Sequence, residues 1–125
     1  MRWQITIINE FAKVANETGI NAAIKLQFRQ LDTFVHEEFK SSDLKFVKRF
    51  NSTRLSKEQF GEIIDHIRAA GLAVMATPFD NESLPWLDDL GVSIVKVASC
   101  SIDDWPLLND ICKINKRIII STGGA

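Results

Sequence analysis

Apolar residues in this chain follow two different spacings. Ile7, Ile8, Phe11, Val14 and Ala15 recur every third or fourth position, which predicts an amphipathic helix over 3–18 stopped by Gly19. The short apolar run AAIKLQF at 22–28 then reads as a strand. Ser56 and Gln59 have capping-box spacing ahead of Phe60, Ile63, Ile64, Ile67 and Ala70, so a second helix runs to Gly71. A strand over 72–77 ends at Pro78, and Asn81 is placed to cap a short helix carrying Leu84, Leu87 and Leu90 up to Gly91. The next strand covers 92–98. Asp103 or Asp104 caps a further helix with Pro106 in its first turn and Leu107, Leu108, Ile111 and Ile114 on its buried face. The last strand covers 117–121. Between the first strand and the second helix, 29–55 is polar and mixed, with Phe34, Phe39, Phe46 and Phe50 dispersed through it. It reads as a long, solvated connection of the kind that often carries function.

Helix and strand alternate, and no two-residue Asn-Gly or Asp-Gly turn joins two strands. Alternation with apolar strands implies parallel pairing beneath outer helices, in an open doubly wound sheet or a (β/α)8 barrel. A dinucleotide-binding sheet would place GxGxxG after its first strand, where this chain has FRQLDTF. A barrel instead gathers polar groups at the C-terminal ends of several strands, and all four strands here end that way. A full barrel takes about 250 residues. Residues 1–125 therefore read as a single partial TIM-barrel domain: α/β, four parallel strands with outer helices, the first strand and the later strands missing. Two open edges would make such a piece prone to self-association.

Composition narrows the function classes. A net charge of -1 with 25% charged residues gives no footprint for nucleic acid or a membrane surface. No apolar run reaches the roughly 20 residues of a membrane span. MRWQITIINEF has no signal-peptide core. Cys100 and Cys112 fit neither a metal spacing nor a disulfide framework and are expected to be small buried or half-buried residues in a reducing, cytoplasmic setting. Trp3, Trp86 and Trp105 are expected to pack on the sheet or on a neighbour; His36 and His66 carry no clear signal.

The chemistry lies in the strands. Period-two alternation puts Lys25 and Gln27 opposite Ile24, Leu26 and Phe28, so Lys25 and Gln27 face the barrel interior. Lys96 shares a face with Ile94 and Ala98, Thr77 with Ala73 and Met75, and Ser121 with Ile119. Two inward lysines are costly unless an anion lies between them. Thr77, Ser99, Ser121 and Thr122 offer neutral donors to its remaining oxygens, and Gly123 and Gly124 leave backbone N–H groups accessible.

The set KLQF at 25–28, ATPFD at 76–80, VKVAS at 95–99 and ISTGG at 120–124, in this order, resembles the N-acetylneuraminate (sialic acid) synthase family. RLSKEQFGEII and LGVSIVKVAS are similar to it too, and the resemblance covers most of the chain. It implies a TIM-barrel transferase of sialic acid biosynthesis that condenses phosphoenolpyruvate with N-acetylmannosamine or a related amino sugar and releases phosphate. It further implies a divalent metal, Mn or Mg, whose ligands are not in this chain, and a homo-oligomer at full length. On matched positions Lys25 and Lys96 would bind the carboxylate and phosphate of phosphoenolpyruvate. Thr77, Ser99 and Ser121 would donate to the phosphate, with Gln27 beside the substrate. The family's first-strand glutamate, its metal-binding histidines and its antifreeze-like domain have no counterpart here, so the chain alone is expected to be inactive. Two alternatives stand: a Schiff-base keto-acid aldolase or lyase using Lys25 or Lys96 as the amine, and a non-catalytic anion-binding or assembly module.

Overall fold

The computed structural model describes residues 2–41 and 43–123, excluding the side chains of Arg2 and Phe34. Its elements run α1 (Arg2–Thr18), β1 (Ala23–Phe28), α2 (Leu31–Phe34), α3 (Lys45–Ser52), α4 (Lys57–Ala69), β2 (Ala73–Pro78), α5 (Pro85–Asp89), β3 (Ile94–Val97), α6 (Trp105–Cys112) and β4 (Arg117–Ile120), with short 3-10 turns between some of them. The strands form one sheet in the order β1-β2-β3-β4, and every neighbouring pair is parallel. This is the expected α/β arrangement of four parallel strands under outer helices. None of the described helices is long and apolar enough to cross a membrane.

The outer face of the sheet carries the core. Phe28, Val74, Ala76, Val95 and Val97 are buried against Ile8 of α1, Ile64 and Ile67 of α4, Leu87 of α5, and Leu107 and Ile111 of α6. Phe28 also meets Phe60 and Trp86 edge-on, at centroid distances of 5.0 and 5.7 Å. Local chemistry sets the helix starts. Ser56 and Gln59 form a complete capping box on α4, and Asp104 accepts from the Leu107 N–H at the start of α6. Gly19, Gly71 and Gly91 have positive φ, so each turn after α1, α4 and α5 uses a conformation open to glycine.

Five expectations change. The connection after β1 contains α2 and α3, and Val47 of α3 is buried; a helix of 8 residues with a narrow apolar face is masked by the charges around it. The apolar stripe of α1 splits: Ile8 and Ala15 are buried with Ala12, whereas Ile7, Phe11 and Val14 are exposed. Asp80, not Asn81, supplies the cap before α5, because its carboxylate accepts from the Ser83 N–H while the Asn81 amide donates to Asp110. Cys100 and Cys112 are both exposed. Cys100 lies in the 3-10 turn after β3 and Cys112 at the end of α6, outside the apolar stripe of that helix. Trp86 packs into the core, but Trp3 and Trp105 are exposed.

Candidate functional site

Strand register places the inward side chains in layers. β1 pairs with β2 so that Lys25 lies beside Met75 and Gln27 beside Thr77. β2 meets β3 at Met75–Ile94 and Ala76–Val95, so the ladder's next step sets Thr77 beside Lys96. β3 meets β4 with Lys96 beside Ile119. One layer therefore reads Gln27, Thr77, Lys96, Ile119, with Lys25 one layer below. Strand spacing and rise put the Cα atoms of Lys25 and Lys96 about 12 Å apart. Two flexible four-carbon stems can close that gap around a single anion.

The polarity of this layer is unsatisfied. Thr77 is fully buried, and its Oγ1 has no hydrogen-bond partner among the described residues. Such an orphan costs about 1–3 kcal/mol. Lys40, Lys48, Lys57, Lys113 and Lys116 each meet a carboxylate. Lys25 and Lys96 have no carboxylate partner among the described residues. Lys25 and Gln27 are exposed on the inner face and Lys96 is half-buried. An oxyanion there would neutralise both ammonium groups and accept from the buried hydroxyl.

The remaining candidates stand at the rim. Ser121 is half-buried, and its N–H donates to the Val97 carbonyl at 3.1 Å, continuing the β3–β4 ladder. Alternation from Arg117 and Ile119 keeps it on the inner face. Ser99 opens the 3-10 turn after β3, at the same end of the sheet but beyond the alternation that orients the strand. Thr122 and Gly123 are exposed, and Gly124 lies outside the described residues.

Arg29 and Phe79 were not among the candidates. Arg29 follows β1 in the same parity as Lys25 and Gln27, and Phe79 follows β2 in the parity of Thr77. The Arg29 guanidinium lies 4.0 Å from the Phe79 ring centroid and 4.7 Å from that of Phe50 on α3. Burial pulls its pKa down from the ordinary arginine value, although it remains charged. The signal was present as the every-second-residue series Lys25, Gln27, Arg29, which continues one step past the strand. The connection carrying Phe50 is tied down at its base: the Gln30 N–H donates to Asp80 at 2.8 Å, and Arg54 pairs with Asp32 through both carboxylate oxygens.

The NeuB family pattern matches residues 11–125. The chain belongs to the NeuB family. This NeuB-family chain is 38% identical over 96 residues to an N,N'-diacetyllegionaminic acid synthase of Campylobacter jejuni, a match covering 77% of this chain and 27% of that protein. It is 31% identical over 68 residues to the N-acetylneuraminate-9-phosphate synthase of Drosophila melanogaster, covering 54% and 18%. Among solved structures, it resembles a Chromobacterium violaceum protein assigned as spore coat polysaccharide biosynthesis protein E, with a TM-score of 0.92 and 40% identity over 98% of this chain and 37% of that one. It also resembles the N-acetylneuraminic acid (sialic acid) synthetase of Leptospira borgpetersenii in complex with citrate, with a TM-score of 0.78 and 28% identity, covering 98% and 39%. The chain thus spans well under half the length of each of these proteins, and its four strands are a partial TIM barrel of this family.

Proposed function

We propose that this chain is the phosphoenolpyruvate-binding part of a sialic-acid-type synthase. The synthase condenses phosphoenolpyruvate with N-acetylmannosamine or a related amino sugar. The carrying observation is the inner layer of Gln27, Thr77 and Lys96 with Lys25 below it: two cations without a carboxylate partner among the described residues and one buried orphan hydroxyl, at the C-terminal end of a parallel sheet. Family membership and the synthase names of its relatives support this reading.

In this reaction the C2–C3 π pair of phosphoenolpyruvate attacks the sugar aldehyde and forms the new C–C bond. Water adds at C2, and the C2–oxygen bond to phosphate then breaks, leaving a ketone and free phosphate. Lys25 and Lys96 hold the substrate's carboxylate and phosphate and stabilise charge as it moves onto the departing phosphate. Thr77, Ser99 and Ser121 donate to phosphate oxygens, and Gln27 flanks the substrate. Among the described residues, no group of three or more His, Cys, Asp or Glu is placed to hold a metal ion. The role proposed for this chain is binding of the substrate's anionic groups by Lys25, Lys96 and the strand-end hydroxyls.

The test is calorimetric titration of the chain with phosphoenolpyruvate and, separately, with N-acetylmannosamine. Phosphoenolpyruvate should bind, and Lys96→Ala should weaken it far more than it weakens any sugar binding. Equal loss of both would sink the assignment. Borohydride with pyruvate should trap no imine on Lys25 or Lys96; a stable adduct would favour Schiff-base chemistry instead.

A further inference from the structure

The strand ends hold one more cation than the residues assigned so far. Arg29 begins on the inner face, one step beyond Gln27. Its guanidinium spans from the end of β1 to the Phe79 ring at the end of β2, with Phe50 as the second ring. Phe79 itself stands one step beyond the orphan Thr77 hydroxyl. This guanidinium with its two rings is thus the layer directly above Gln27, Thr77 and Lys96. Stacking engages the flat faces of a guanidinium and leaves its N–H groups in the plane, where a carboxylate or phosphate is gripped by two donors at once. Two rings also fix the rotamer beforehand, so little side-chain entropy is lost on binding. An arginine serving only to cover the rings could stack on one of them from solvent. This one is partly buried, on the same face as two lysines without carboxylate partners among the described residues.

We propose that Arg29 is a third cationic contact for the anionic substrate, with Phe50 and Phe79 holding it above Lys25 and Lys96 so that its in-plane N–H groups meet an oxyanion of the ligand. The proposal rests on the phosphoenolpyruvate reading and adds a specificity contact to it. Because Phe50 arrives on α3, the connection after β1 acquires a role: it supplies one wall of the arginine's socket.

Calorimetry with three probes tests this on the full chain: phosphoenolpyruvate, pyruvate as the carboxylate alone, and inorganic phosphate. Arg29→Gln should weaken phosphoenolpyruvate at least tenfold and flatten the salt dependence of binding, with the unfolding midpoint little changed. Arg29→Lys should recover part of the loss. A matching loss on pyruvate places the contact at the carboxylate, and one on phosphate places it at the phosphate. Phe79→Leu keeps the charge but loosens the socket, and should cost less than Arg29→Gln. The proposal is overturned if Arg29→Gln binds phosphoenolpyruvate like the parent while Lys96→Ala does not. It is equally overturned if Arg29→Gln loses affinity only as far as it loses folded protein. If the parent chain binds none of the three probes, the underlying reading fails first and visibly, and this one fails with it.

Discussion

Two lysines at opposite ends of the sheet contrast polarity answered within the chain with polarity that meets no carboxylate among the described residues. Lys116 lies at the N-terminal end, just before β4. Its ammonium donates to the Val92 carbonyl at 2.8 Å and the Leu87 carbonyl at 3.5 Å and pairs with Asp88 at 2.7 Å, and its side chain is 11% exposed. All that polarity is answered within the chain, and it locks the α5–β3 turn against the start of β4. Lys96 stands near the C-terminal end of β3, flanked by Ile119 and by a threonine whose hydroxyl has no partner among the described residues. Such a group calls for a partner that the described residues do not supply. Parallel barrels divide their two ends in this way, with stability at one and chemistry at the other.

Replacing Lys116 should therefore have the largest effect on folding. Lys116→Met removes charge-assisted bonds to two backbone carbonyls and should cost about 2–3 kcal/mol in denaturant unfolding, with phosphoenolpyruvate affinity unchanged in the folded protein. Lys96→Ala should do the reverse. It should reduce phosphoenolpyruvate affinity about 10- to 100-fold, some 1.4–2.7 kcal/mol, and shift stability by less than about 0.5 kcal/mol. If Lys96→Ala unfolds the chain as readily as Lys116→Met, the contrast between the two ends collapses.

Thr77→Val sharpens the same contrast at one atom. Its near-isosteric side chain removes the orphan hydroxyl, so stability should rise by about 1 kcal/mol while phosphoenolpyruvate binds more weakly. A loss of stability would mean that the hydroxyl is satisfied in the free protein.

The smallest effect concerns exposed ion pairs away from the inner face of the sheet. Arg54 hydrogen-bonds Asp32 and holds its carboxyl below the ordinary aspartate value, and Lys113 and Asn81 do the same for Asp110. Their folded pKa values are depressed. Their stabilisation is therefore complete above the ordinary carboxylate value and disappears as the pH falls through the lower, folded value. Unfolding midpoints should be flat from pH 6 to 8 as far as these two groups are concerned. Asp32→Asn should remove part of the acid-side decline; a change at neutral pH would contradict this account.

Much of this was legible in the sequence because strand alternation is strict. The parity of Lys25, Gln27, Thr77 and Lys96 followed from counting, and the register agrees with it. The caps at Ser56 and Asp104 were legible because each needs only a side-chain oxygen three residues before its N–H. What counting could not supply was tertiary. Ile7 and Ile8 are neighbours of equal hydrophobicity, and only the position of the sheet decides that Ile8 is buried and Ile7 exposed. Arg29 was overlooked because its partners, Phe50 and Phe79, are 21 and 50 positions away in sequence. Asp80 displaced Asn81 as the cap because adjacent capping residues compete, and packing of α6 gave the Asn81 amide another partner in Asp110.

The most direct test of the central claim is ligand-induced stabilisation, measured as the unfolding midpoint with and without excess phosphoenolpyruvate. A ligand at a hundred times its Kd adds about 2.7 kcal/mol to a folded protein that alone binds it. The parent chain should show a clear upward shift. Lys116→Met should show the same shift from a lower starting point, and the Lys25→Ala/Lys96→Ala double variant should show none. A double variant that shifts as far as the parent, or a Lys116→Met variant that loses its shift, would contradict the assignment of the anion site to the C-terminal end of the sheet.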